Sequence, residues 1–372
     1  MHQTGSVVRW GLLVTLLCGG AGLLSQPPHG VAQGQPPATT TGAPVIREAG
    51  WSSEKFADGV RRPGFWRISF AFDSADNLYV TNIGDIGILN DGGIQKVEQQ
   101  IGPSGKRKVS DFTDATDVAA IAFDNKGRMA YSTGAISAMS EVYHIRQPDQ
   151  GGTGTKIARG EFLLRMMPFT QQTQRPQIAW SLVYGKPNEQ GEQPIYIGTS
   201  PVGMGGDEIN TQGRILRISP DGTEVRGMAN PYDVADMVMA PDGSLLFADH
   251  YDNVIYRVIP DGKGAIMRYA TLTTNTASGI VTVSDEMLTY KRLTMDPAGN
   301  LYVMVRESDV KTNIYKVAAP QPGRPPRVTL FVTNIPQTMV PVIKSDSQGN
   351  LYLADMPPQE TTLTIYRLTR AR

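Results

Sequence analysis

The residues of this chain that could do chemistry are few and scattered. His250 sits in FADHYDN between Asp249 and Asp252, and its intrinsic pKa would suit a general base. Lys291 stands in TYKRL, where an ammonium could anchor an anionic or carbonyl group of a ligand. Asn230, Asp233 and Asp236 lie close together in NPYDVAD and are the acidic or amide groups that could offer oxygens to a hard cation. Trp66, Asp117 and Gln177 are further polar or aromatic residues whose relevance depends on where the fold puts them. His144, inside SEVYHIR, has the surroundings of a packing residue, and two distant histidines make no zinc site.

Much chemistry is excluded. The only cysteine is Cys18, within an N-terminal apolar run, so the remainder of the chain has no thiol nucleophile, disulfide or thiolate metal site. No GxSxG elbow, HExxH or Walker sequence occurs. The glycine-rich VGMGG at Val202–Gly206 joins strands rather than opening a helix, and the loop Asn82–Gly93 lacks calcium-loop spacing. Lys+Arg and Asp+Glu are both 35, so no basic surplus recommends a nucleic-acid or anionic-membrane partner.

The elements that must position these residues are announced by a repeated phrase. It reads AFDSADNLYV at Ala71–Val80, AFDNKGRMAY at Ala122–Tyr131 and MAPDGSLLFAD at Met239–Asp249, then MDPAGNLYVMV at Met295–Val305 and KSDSQGNLYLAD at Lys344–Asp355. A degenerate copy with an enlarged turn, Gly185–Gln193, lies in Ile178–Ser200. Each copy is strand, turn, strand, followed by a third alternating strand such as NVIYRVI and often by a fourth. A repeat of about 50 residues built from paired strands predicts propeller blades, and six copies predict an all-β, six-bladed β-propeller of four-stranded blades. The last blade lacks its outer strand, and Glu54–Val60 is predicted to complete it and close the ring.

Residues 1–32 read as a signal peptide, with Arg9 ahead of the apolar run Trp10–Leu24 and small residues before Ala32. Residues 33–50 read as a flexible linker and 51–372 as the propeller. The expectation is an exported protein, periplasmic or extracellular. Leu17 before Cys18 disfavours a lipid anchor, and an uncleaved N-terminal anchor is the alternative.

PDGSLLFAD, PAGNLYVMV and SQGNLYLAD, with their IYRV-like partners, resemble the six-bladed propellers of the gluconolactonase/senescence-marker-protein family and the related NHL-repeat proteins. NPYDVADMVMAPDG, Asn230–Gly243, is also similar to a segment of quinone-dependent soluble sugar dehydrogenases. The lactonase resemblance implies a divalent metal such as Ca²⁺ in the central channel, held by Glu, Asn and Asp near the starts of inner strands. The matching positions here are Ile68, Ala235 and Lys291, none of which suits that task, leaving Asn230, Asp233 and Asp236 as the nearby alternative.

Used as a ruler, the repeat places Ile68, Ala119, Ala179, Ala235, Lys291 and Pro341 at one level of the channel. Trp66, Asp117, Gln177, Asp233, Thr289 and Met339 lie above them, and Phe70, Ile121, Ser181, Met237, Leu293 and Ile343 below. The expectation is a small organic or sugar-derived ligand at the channel mouth, contacted by Asp117, Gln177, Asp233 and Lys291 with Trp66 packed on it. Lys291 with Asp233 also reads as a structural ion pair. Metal-dependent lactone or ester hydrolysis, quinone-dependent sugar oxidation with His250 as base, and a protein-interaction platform built on rim loops remain alternatives.

Overall fold

In the computed structural model, the chain divides into two compact units, Met1–Ala38 and Thr39–Arg372. The structure describes residues 44–63, 68–83, 92–113, 115–134, 140–148, 152, 154–159, 177–201, 213–229, 234–249, 252–260, 264–276, 279–282, 290–308, 311–321, 323–333, 335, 339–356 and 360–371. All of these belong to the second unit.

Two strands precede the repeats, β1 (Val45–Ile46) and β2 (Trp51–Arg61). Blade one holds β3 (Phe70–Phe72), β4 (Leu78–Ile83), β5 (Gly92–Ile101) and β6 (Arg107–Thr113). Blade two holds β7 (Val118–Phe123), β8 (Met129–Thr133), β9 (Glu141–Ile145) and β10 (Thr155–Arg159). Blade three holds β11 (Gln177–Tyr184), β12 (Ile195–Pro201), β13 (Arg214–Ile218) and β14 (Val225–Ala229), and blade four β15 (Val234–Met239), β16 (Leu245–Asp249), β17 (Val254–Val258) and β18 (Ile266–Thr271). A separate hairpin, β19 (Thr273–Thr276) and β20 (Gly279–Thr282), leads to blade five, made of β21 (Tyr290–Met295), β22 (Leu301–Ser308), β23 (Lys311–Val317) and β24 (Val328–Thr333). Blade six holds β25 (Met339–Ser345), β26 (Leu351–Asp355) and β27 (Thr362–Arg370).

The fold is therefore the expected six-bladed propeller of antiparallel sheets, and its closure is the expected one. β2 pairs antiparallel with β27, with Glu54 opposite Arg367 and Val60 opposite Leu363, and so supplies the fourth strand of blade six. β1, within the stretch 33–50, adds a fifth strand to blade five by pairing with β24. The fourth strand of blade two is Thr155–Arg159.

Alternation along the strands sends side chains to the two faces of each blade, where they meet the neighbouring blade. The core is accordingly split into interblade clusters. Blades one and two share Tyr79, Ile94, Val118 and Tyr131, and blades two and three share Ala130, Val142, Ala179 and Ile197. Blades three and four share Ile215, Val234 and Phe247, and Gly198 is part of that fit, because a Cβ there would stand 2.5 Å from Val234 Cγ1. Blades six and one meet around Phe56, Ile68, Phe70 and Tyr352, the closing strand contributing Phe56 and Val60.

The repeated turn is a hydrogen-bonded lock. Asp346 Oδ1 accepts the Gln348 and Asn350 backbone N–H groups, each at 2.9 Å, and Oδ2 accepts Asn350 Nδ2 at 2.7 Å and Tyr352 OH at 2.9 Å. Asp73 with Asn77 and Tyr79, and Asp296 with Asn300 and Tyr302, repeat the pattern. One Asp orders each turn and ties it to the following strand, which explains the spacing D-x-x-x-N-x-Y. In blade two Arg128 takes the Asn position: it donates its backbone N–H to Asp124 at 2.7 Å and its Nε at 2.5 Å.

Candidate functional site

The innermost strands contact one another in the order β3, β7, β11, β15, β21, β25 and back to β3, enclosing the propeller axis. A cavity of about 20 Å³ lies there, lined by all six blades. Its walls include Ile68, Phe70, Ile121, Ser181, Met237, Leu293 and Ile343, most of them the expected lower level of the channel. They are joined by Trp180, Asp236, Arg292 and Lys344, which have the opposite strand parity. An innermost strand presents its edge to the axis, so residues of both parities flank the cavity. Period-two reasoning sorts side chains between neighbouring blades rather than between channel and core. This is why the sequence pointed to Lys291 and passed over Lys344.

Asp236 organises the cavity. Its Oδ1 accepts Ser181 Oγ at 2.8 Å and the Met237 N–H at 2.9 Å, and its Oδ2 accepts the Leu293 N–H at 2.9 Å. Ser181 Oγ in turn accepts the Met237 N–H at 3.0 Å. One carboxylate thus binds blades three, four and five. Arg292 is buried and donates Nη2 to the Ile68 carbonyl of blade one at 3.4 Å. Burial pushes the Arg292 guanidinium below its ordinary value and the Asp236 carboxylate opposes that; the same pair of causes acts on Lys344.

Lys291 is 1% exposed on β21, opposite Val305, and its Nζ donates to the Asp249 carbonyl at the end of β16 at 2.7 Å. Asp117 lies immediately before β7 with φ of 54°, a left-handed conformation that Asp tolerates better than most residues. The Gly134 N–H donates to its carbonyl at 3.2 Å. Gln177 opens β11 and pairs with Pro201. These three stand on blades five, two and three. Trp66, Asn230, Asp233 and His250 lie outside the described residues, as does Cys18.

The described cavity does not fit a divalent cation. Asp236 is its one carboxylate, already accepts three donors, and shares the space with two cationic side chains. Among the described residues, no group of three or more His, Cys, Asp and Glu could hold a metal ion.

A second, larger space lies between blades four and five at their turn ends. It has a volume of about 400 Å³ and is lined by Pro241, Met267, Tyr269, Met295, Pro320 and Pro326 among others, with the Arg257–Asp242 ion pair at its edge.

No protein-family description and no curated protein matches this sequence. Solved structures match its fold. A gluconolactonase from Xanthomonas campestris superposes with a TM-score of 0.52 at 12% identity, over 89% of this chain and 96% of its own. The PQQ-bound aldose sugar dehydrogenase of Streptomyces coelicolor gives 0.52 at 11% identity, over 88% and 100%. A luciferin-regenerating enzyme gives 0.51 at 15% identity, over 86% and 95%. The resemblance to gluconolactonase-type propellers is thus one of fold, and at such identities fold alone is carried over.

Proposed function

We propose that this chain is an exported propeller that binds a small organic or sugar-derived ligand at the mouth of its central channel. The observation that carries this reading is the narrowness of the channel centre. With about 20 Å³ free beside Asp236, Arg292 and Lys344, a sugar-sized molecule has to sit above that layer, where the inner strands begin. Asp117 stands at one of those beginnings, in a left-handed backbone conformation of the kind that concentrates at ligand clamps. Trp66, Gln177, Asp233 and Lys291 are the proposed companions. The metal-dependent hydrolase reading is less favoured because the described channel offers one committed carboxylate and two cations.

The test is a thermal-shift and calorimetric screen of the mature protein against sugar lactones, aldonic acids and aldoses, with and without Ca²⁺ and a quinone cofactor. A ligand should raise the unfolding temperature of the wild type and lose most of its affinity in Asp117→Ala. Turnover of a lactone only with Ca²⁺, or of an aldose only with quinone, would replace binding by the corresponding enzyme. Export is tested separately: secreted protein should begin at residue 33.

A second reading rests on the groove between blades four and five, whose volume of about 400 Å³ lies within the range of small-molecule pockets. If a ligand from the screen is blocked by Met267→Asp and indifferent to Asp117→Ala, the groove is the binding site and the mouth is not.

A further inference from the structure

At three blade interfaces the repeated phrase supplies an aromatic ring. Tyr79, Tyr302 and Tyr352 are buried, donate to Asp73, Asp296 and Asp346, and pack against the following blade. Each ring has the same companions. The outer strand of its blade bulges at a phenylalanine that meets the ring: Phe112 at 4.9 Å from Tyr79, Phe331 at 5.1 Å from Tyr302 and Phe56 at 4.9 Å from Tyr352. The residue before the next blade's turn Asp adds Phe123 beside Tyr79 and Phe72 beside Tyr352, at 4.8 and 4.7 Å. The cross-strand partner is a cation, and Lys96 and Lys316 lie over the rings of Tyr79 and Tyr302.

Blade four keeps the companions and loses the ring. Ala240, Ser244 and Leu246 stand where the phrase has Asp, Asn and Tyr. Tyr269 is the bulge residue of the outer strand, Arg257 is the cross-strand partner of Leu246, and Met295 precedes Asp296 of blade five. All three line the groove of about 400 Å³ between blades four and five. Blade two also lacks the tyrosine, with Ala130 in its place, but there Tyr184 of blade three packs into the cluster. The charge at the groove edge is balanced, since Arg257 pairs with Asp242. A compensated pair recruits neither an anion nor a cation, whereas an uncharged ring still gains from a guanidinium over its face and a thioether beside it.

We propose that this groove binds an uncharged phenolic compound. Its ring lies between Tyr269 and Met295, in the place that Tyr79, Tyr302 and Tyr352 take at their own interfaces, and its hydroxyl meets Asp242, the turn carboxylate of blade four. This rests on the reading of the groove as a small-molecule site and names the chemical class that the site takes.

The experiment titrates the full protein by calorimetry with three probes of one shape: naphthol, its saturated analogue decahydronaphthol, and naphthoate. Naphthol should bind. Decahydronaphthol, with no π-face, should bind at least about threefold more weakly. Naphthoate, whose carboxylate would face Asp242, should be weaker by about tenfold or more. Leu246→Tyr, which restores the ring of the other blades, should abolish naphthol binding. Wild-type crystals soaked in a bromonaphthol should show an anomalous peak in the groove beside Tyr269 and Met295, which decides the matter even if the variant fails to fold. Equal affinities for naphthol and decahydronaphthol would overturn the aromatic class and leave the groove as a site. No naphthol binding, or bromine bound only elsewhere, would overturn both.

Discussion

The Asp236 carboxylate of blade four accepts the backbone N–H of Leu293 in blade five at 2.9 Å, while its other oxygen holds Ser181 of blade three at 2.8 Å. A residue that ties three inner strands together and faces two desolvated cations is hard to replace. Asp236→Ala leaves those donors without their acceptor and removes the one negative charge of the described cavity lining. It should lower stability in urea by at least about 3 kcal/mol. Asp236→Asn keeps an acceptor and the shape, and should lose less. Equal losses in the two variants would show that the charge has no part in it.

The closing strand makes the second prediction. Phe56 on β2 is buried against Tyr352, edge to face at 4.9 Å, and the Arg107 guanidinium covers its ring at 4.0 Å. Arg107 also donates to the Phe56 carbonyl at 2.9 Å. Phe56→Ala should cost about 3–5 kcal/mol, as for other buried aromatics. Limited proteolysis should then cut first within residues 51–61, because freeing β2 exposes the edge of β27. First cleavage in any other blade would show that the ring is not held at this seam.

That seam shows what the sequence could disclose. The missing outer strand of blade six and the strand-like stretch Glu54–Val60 were both visible in the residue pattern, and β2 (Trp51–Arg61) confirms the match. The repeated phrase also carried its own mechanism, since Asp73, Asp296 and Asp346 are the residues that build the turns. The channel was less legible. Its lining depends on how six strand edges converge, and no single-strand periodicity encodes that. Lys291 and Arg292 are adjacent in sequence, yet one reaches the Asp249 carbonyl between blades and the other lines the cavity. Lys344 falls inside the repeat phrase itself, where it looked like an ordinary strand residue.

The turn lock gives a third prediction. Asp346 is 4% exposed and accepts four hydrogen bonds, so Asp346→Ala should cost about 2–4 kcal/mol, measured by chemical denaturation. Asp221, in the exposed hairpin between β13 and β14, accepts bonds from Ser219 and Thr223 in water, and Asp221→Ala should cost well under half as much. Comparable losses would mean that burial of the lock is unimportant.

His144 gives a fourth. Its ring lies 6.4 Å from that of Tyr184, and its Nε2 is buried without a partner. Desolvation, then the nearby Arg128, holds its pKa below the ordinary 6.5; Arg146 acts in the same direction, with Asp124 and Glu192 opposing. The unfolded chain therefore takes up a proton first, and folding should weaken as pH falls through about 6.5 toward the lower folded value. His144→Gln lacks that proton and should flatten this part of the stability profile. A profile unchanged by the substitution would assign the weakening to other groups.

The enlarged turn of blade three makes the last prediction. Glu192 in that turn receives Lys126 Nζ at 2.5 Å and Arg128 Nη2 at 2.6 Å, both from the turn of blade two, and Gln193 Oε1 accepts the Asn125 N–H at 2.6 Å. The extra residues of the degenerate repeat thus form a clasp between two blades. The hydrogen bonds from Lys126 and Arg128 hold the Glu192 carboxyl down to about 2, against an ordinary 4.5. Its folded pKa is the lower one, so the clasp contributes fully above the unfolded value and fades as pH drops toward about 2. Glu192→Gln should unfold earlier than the wild type at neutral pH, and the gap should close in acid. Because the clasp is solvent-facing, high salt should also narrow the gap. Unfolding curves at neutral and acidic pH, each at low and high salt, measure all four corners. A gap that stays constant across them would show that Glu192 acts through packing rather than charge.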